Sequence, residues 1–120
     1  MDNNSKGCIA EYKFGIECLK RDIKVSYPLV HTSFYDCVAD TGDNMYRVQI
    51  KSTTQGFQKN RKTVHIQWKH NYEKRDVDYF AIWVEKFQGF FIFKNDGKRL
   101  AVRLSLTNVY SKFFNNFDFN

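Results

Sequence analysis

The sequence predicts an α/β domain: an N-terminal helix leading into a β-meander, with a central mixed β-sheet flanked by helices. Residues 6–20 repeat apolar side chains at three- and four-residue spacing, the period of a helix face. Much of the remainder alternates apolar and polar residues in short runs separated by turn-formers, as half-buried strands do. Residues 79–84 form a nearly unbroken apolar run, which suits a strand covered on both faces of its sheet. At 120 residues the chain can bury one core but not two, so one domain over residues 1–120 is expected.

In the first element, Cys8, Ile9, Tyr12, Ile16 and Leu19 make an apolar stripe and Ser5 is a candidate cap. Gly15 weakens such a helix by up to about 1 kcal/mol relative to Ala, so close packing against the sheet is expected there. Residues 22–27 read as a strand, with Ile23, Val25 and Tyr27 alternating and Pro28 ending it. Residues 34–39 and 45–51 are the clearest strands, joined as a hairpin by Asp40-Thr41-Gly42-Asp43-Asn44. Counting back from that turn sets Asp36 opposite Val48 or Gln49. The two-residue period puts Arg47, Gln49 and Lys51 on one face, with Val48 and Ile50 on the other.

A polar, basic loop is expected over residues 52–61, then alternation from Thr63 to Trp68 and a short helical or irregular piece over 71–77. After the central run, Gln88-Gly89 turns into residues 90–93, and residues 100–106 form another strand. The Phe-rich segment 113–119 has no clear period. It is a flap over the core or a subunit contact, and contact is favoured.

Composition excludes several classes. The longest apolar runs, such as Phe90 to Phe93, fall far short of the roughly 20 residues that span a bilayer. The N-terminus lacks a charged start followed by an apolar block. A soluble, intracellular protein without a membrane partner is expected, cytoplasmic or encoded by a phage or mobile element. Cys8, Cys18 and Cys37 are odd in number and include no C-x-x-C pair, so reduced thiols fit better than disulfides or a zinc knuckle. His31, His65 and His70 are too scattered for zinc. Between Lys51 and Arg75 there are seven Lys or Arg against the single acid Glu73, which accounts for the chain's whole excess of +6. A basic block in a balanced domain points to a polyanionic partner.

The chemistry lies where Asp36 faces Gln49-Ile50-Lys51, with Glu11 upstream. A metal-dependent phosphodiesterase needs oxygen atoms around a hard cation and one ammonium near the attacked phosphate. Alone, Asp36 beside a turn reads as a solvated or turn-capping carboxylate, and Lys51 as a solvent-facing lysine. Glu11 falls at or near the apolar face of its helix, where an unpaired carboxylate costs several kcal/mol unless a metal or hydrogen bonds compensate it.

Taken in order, Ala10-Glu11, Leu19-Lys20-Arg21, Val25 and Pro28 before Tyr35-Asp36, Arg47-Val48-Gln49-Ile50-Lys51-Ser52 and Asp78-Tyr79-Phe80-Ala81 resemble the PD-(D/E)XK nuclease superfamily. Within it they look most like the branch of intron-encoded homing endonucleases with Gln in the third motif. The likeness runs from Lys6 to Phe93, with residues 100–106 a weaker match. It implies a restriction-endonuclease-like core and a Mg²⁺-dependent endonuclease acting on double-stranded DNA, with Mn²⁺ able to substitute. Asp36 would be the main carboxylate ligand, Gln49 would offer a neutral amide oxygen where Asp or Glu is usual, and the Ile50 carbonyl would add a ligand. Lys51 would orient or help deprotonate the attacking water and offset charge on the phosphate. Glu11 would reach in from the helix to hold the metal or its water shell. Gln49 removes one negative charge, which weakens the pull on a divalent ion.

Alternation from Thr63 puts Thr63, His65, Gln67 and Lys69 on one face. With Lys59, Arg61 and Lys62 this is a candidate DNA surface, since phosphate contacts fix position while amides and Arg read base edges. The neighbouring Gln58, Asn60, Trp68 and Tyr72 favour nucleic acid over a merely solvated surface. Asp76 and Asp78 read as turn or capping residues. Cutting both strands of a duplex takes two active sites, so a homodimer or homotetramer is expected. The alternatives are a Holliday junction resolvase of the same superfamily, or a DNA-binding module whose metal site is too weak to cut.

Overall fold

The computed structural model describes residues 1–30, 32–57 and 61–120. His31, Gln58, Lys59 and Asn60 lie outside the described residues, and with them the surface role expected of His31 and the DNA contacts expected of the other three.

One helix, α1 (Asn3–Leu19), leads into β1 (Lys24–Ser26), β2 (Cys37–Asp40), β3 (Met45–Thr53), β4 (Thr63–Gln67), β5 (Tyr79–Val84), β6 (Gly89–Lys94) and β7 (Ala101–Ser105). Five strands make a mixed sheet in the order β1-β2-β3-β5-β6, and β4 pairs with β7 in a separate two-stranded sheet. The meander β1-β2-β3 is antiparallel, β5 runs parallel to β3, and β6 returns antiparallel to β5.

Helix α1 begins at Asp2, whose side chain accepts from the Ser5 amide, so Asp2 and not Ser5 is the cap. The helix turns a different side inward from the expected stripe. Ala10, Phe14, Gly15 and Cys18 are buried, while Ile9, Tyr12, Ile16 and Leu19 are exposed. Small residues at one-turn spacing let the backbone approach the sheet, and the single large Phe14 fills the space. The close approach at Gly15 is to Tyr27: an added Cβ would lie 2.9 Å from its hydroxyl.

Each central strand feeds two cores, as a run apolar on both faces must. Tyr79, Ala81, Phe90 and Ile92 join Val48 and Ile50 beneath α1. Phe80, Ile82, Phe91 and Phe93 point the other way, against Val64, Trp68, Val102 and Leu104. The flanking layer on this second face is the β4–β7 ribbon rather than another helix. The Phe-rich tail is spent inside the chain, which corrects its expected role as a subunit contact. Phe117 and Phe119 are buried in the first core, and Asn115 exchanges hydrogen bonds with the Phe90 backbone at 2.6 and 2.9 Å. That pairing covers the outer edge of β6.

The first two strands are shorter than expected. Asp22 adopts a left-handed conformation (φ 61°), and the Ile23 amide still bonds back to Cys18, so the helix exit takes up the start of β1. Residues 34–36 form a bend before β2, because the Asp36 side chain takes the place of a strand partner, as described below. Segment 71–77 is irregular. Its end is fastened by Asp78, which accepts from the Arg47 amide and guanidinium at 2.7–3.1 Å, while the Asp78 amide donates to the Arg47 carbonyl at 2.9 Å.

The inward side of α1 is testable by substitution. Phe14→Ala should cost about 3–5 kcal/mol in denaturant unfolding, while Ile16→Ala, at a position 54% exposed, should stay within about 1 kcal/mol of the parent. The reverse ranking would restore the expected stripe as the buried face.

Candidate active site

Strand β2 begins at Cys37, just after Asp36, and the β3 edge is completed by side-chain chemistry. The Asp36 amide donates to the Val48 carbonyl at 2.8 Å, and its carboxylate Oδ2 accepts from the Ile50 amide at 2.7 Å. Because the Arg47 carbonyl faces β5, alternation turns both the N–H and the C=O of Ile50 toward the β2 side. The Ile50 carbonyl therefore shares an edge with the Asp36 carboxylate. The expected pairing of Asp36 with the Val48–Gln49 region and the sharing of one face by Arg47, Gln49 and Lys51 both match the register.

Glu11 arrives from α1, half-buried and within hydrogen-bonding reach of the Asp36 carboxyl. Burial, then the Asp36 charge and the hydrogen bond between them, raises the Glu11 pKa. Burial also raises that of Asp36, against the opposing effects of the Ile50 amide, the Lys51 charge and Glu11. As a coupled pair they hold a proton more tightly than free carboxyls. Lys51 points to the other face of β3, and burial lowers its pKa while the Asp36 charge resists. Its Nζ donates to the Tyr72 hydroxyl at 3.3 Å and lies 4.9 and 5.3 Å from the centres of the Tyr72 and Trp68 rings. Gln49 is half-buried on the Lys51 face, two residues away. The structure thus brings Glu11, Asp36 and the Ile50 backbone together and sets Lys51 within electrostatic reach of Asp36, with Gln49 beside it.

Two neighbouring carboxyls, with one lysine nearby, suit a divalent cation, which would relieve their mutual repulsion. Among the described residues no cluster of three or more His, Cys, Asp or Glu is present.

The expected DNA surface sits beside this site. Arg61, Lys62, Thr63, His65, Gln67 and Lys69 are exposed, and the alternation along β4 leaves Val64 buried behind them. His65 and Gln67 line, with Lys51, Ser52, Thr53 and Gln55, a cleft of about 410 Å³. Trp68 is not available as a stacking platform. It is 8% exposed, and its indole N–H donates to the Arg99 carbonyl at 3.1 Å. The place of Tyr72 against Lys51 was missed in the sequence because 21 residues separate them and the connecting segment has no period. Its only sequence signal is an aromatic in a basic run.

Sequence and structure comparisons place the family and the fold. A family model described as PD-(D/E)XK endonuclease matches residues 1–112. No curated protein matches the chain significantly by sequence. Among solved structures, the bacterial homing endonuclease I-Ssp6803I superposes with a TM-score of 0.77 at 20% identity, over 95% of this chain and 89% of that one. Hjc, a Holliday junction resolvase from the hyperthermophilic archaeon Archaeoglobus fulgidus, superposes with a TM-score of 0.60 at 15% identity, over 89% of this chain and 88% of that one.

The raised carboxyl pKa of Asp36 has a signed consequence. In the folded chain the group holds its proton above the ordinary value of 3.8, so its favourable contribution is complete below that pH and lost as pH rises through the folded value. Without divalent ions, Asp36→Asn should therefore melt above the parent at about pH 7 and lose that advantage near pH 4. A parent that melts higher than the variant at neutral pH would contradict the burial of this carboxyl.

Proposed function

The chain belongs to the PD-(D/E)XK endonuclease family, and from that premise we propose that it is a Mg²⁺-dependent enzyme hydrolysing phosphodiester bonds of double-stranded DNA, of the site-specific homing type. The observation that carries this reading is the shared cleft: Lys51 of the candidate catalytic set and His65 and Gln67 of the exposed basic face line one depression. DNA laid along β4 would bring its backbone to the carboxyl pair.

The residues divide the work by chemistry. Glu11, Asp36, the Gln49 amide oxygen and the Ile50 carbonyl would hold the cation, all hard oxygen donors. When bound, it supplies charge neutralisation at the phosphate and a more acidic water. Asp36 is fixed before any ligand arrives, since the Ile50 amide holds one of its oxygens. Lys51 places its ammonium to offset the negative charge that builds on the phosphate as water adds and the P–O ester bond breaks. Arg61, Lys62 and Lys69 meet phosphates, and His65 and Gln67 face base edges.

With one such site per chain, cleavage of both strands calls for a homo-oligomer. Because the tail is occupied within the chain, the exposed Tyr12, Ile16 and Leu19 of α1 are one apolar surface that could serve that contact.

Lys51→Ala should slow cleavage by at least about a hundredfold while leaving DNA affinity within about threefold, because one of several phosphate-facing cations is lost. Wild-type protein that binds duplex and never nicks it with Mg²⁺ or Mn²⁺ would make this a binding module, and preferential cutting of four-way junctions over duplex would make it a resolvase. The cation has its own readout: Ca²⁺ should raise the melting temperature of the parent and not that of Asp36→Asn, through mass action on the folded state. Equal shifts in both would remove Asp36 from the ligand set.

A further inference from the structure

We propose that Tyr72 is a positioning residue for Lys51: its hydroxyl and ring, backed by Trp68, fix the ammonium at the mouth of the cleft. This rests on the nuclease reading above and adds to it a residue outside the motifs of that family. A lysine carries its charge on four rotatable methylene bonds, so an ammonium that must meet one phosphate is either ordered in advance or loses freedom at each turnover. Here the ordering is built in. The Lys51 Nζ donates to the Tyr72 hydroxyl at 3.3 Å, and the faces of two aromatic rings lie within cation–π range at 4.9 and 5.3 Å.

Tyr72 is itself held from behind. Its ring meets Phe80 edge-on at 5.6 Å. Its carbonyl accepts from Asn95 Nδ2 at 2.6 Å, and the same amide nitrogen donates to the Val77 carbonyl at 3.0 Å. Asn95 is 6% exposed, and its Oδ1 accepts from the Gly97 amide at 2.9 Å. A buried amide that uses both ends on backbone groups is a rigid pin, and this one joins the two ends of the irregular segment 72–77. Trp68 is anchored likewise, by its indole N–H on the Arg99 carbonyl and a ring tilted against Phe80 with centroids 4.8 Å apart. Burial, then the Asp36 charge, raises the phenol pKa, so at neutral pH the hydroxyl remains a neutral acceptor for the ammonium. Apart from Phe80 in β5, these fixtures lie outside the sheet that carries Lys51, which makes the connection after β4 part of the lysine's mounting.

Tyr72→Phe tests the proposal, since it deletes one oxygen and keeps the packed ring. Single-turnover cleavage at saturating enzyme should fall about tenfold, with DNA affinity within about twofold. The melting temperature should stay within about 2 °C. The ¹³Cε–¹⁵Nζ correlation of Lys51, identified by its loss in Lys51→Ala, should move. An unchanged rate in a cutting enzyme, an unmoved Lys51 resonance, or a rate loss matched by a falling melting temperature would each overturn it. If the parent does not cut, the nuclease reading falls while the resonance still decides whether Tyr72 holds Lys51.

Discussion

The bond from the Ile50 amide to the Asp36 carboxylate sets the geometry of everything around it. A sheet edge that loses its neighbour leaves backbone groups without partners, and burying them unpaired is costly. Here β2 begins only at Cys37, and a side-chain oxygen satisfies the next amide of β3. One atom contact both closes the edge and aims a charged group at the gap. The carboxyl also lies close enough to Glu11 for each to influence the other, and the Ile50 carbonyl turns toward the same side of β3. The candidate site exists because a strand starts late.

Two cores hold that gap open. The layer under α1 sets Glu11 through Ala10, Phe14 and Cys18, a face in which small side chains bring the helix backbone close to β3. The opposite layer sets Lys51 through Trp68 and Phe80. Arg47 and Asp78 tie β3 to the start of β5 by side chain and backbone together, so the two layers share one register. The exposed share of this ion pair makes its charge attraction a small contribution. Its value lies in the fixed alignment of the strands.

The sheet was largely readable because strands announce themselves by alternation and by apolar runs, and the Asp36–Lys51 relation followed from counting around one turn. The helix face was misread for a physical reason. Ile9, Tyr12, Ile16 and Leu19 carry more apolar surface than Ala10, Gly15 and Cys18, yet close approach to a sheet rewards small residues and a single Phe14. The start of β2 could not be read from residue types, since Tyr35 and Phe34 are good strand formers and only the competing side-chain bond delays the strand. Tyr72 and Asn95 escaped because their roles depend on a crossover that brings distant segments together. The family motifs reached Glu11, Asp36, Gln49 and Lys51 and left the mounting of the lysine unmarked.

The pairing of β4 with β7 alone, apart from the five-stranded sheet, bears on how such a molecule can diversify. Thr63, His65 and Gln67 project from the outer face of the ribbon, while Val64 on its inner face is packed into the core. Exchanging the outward residues would leave the inner packing of the ribbon untouched, so the surface beside the candidate site can vary without loss of the fold.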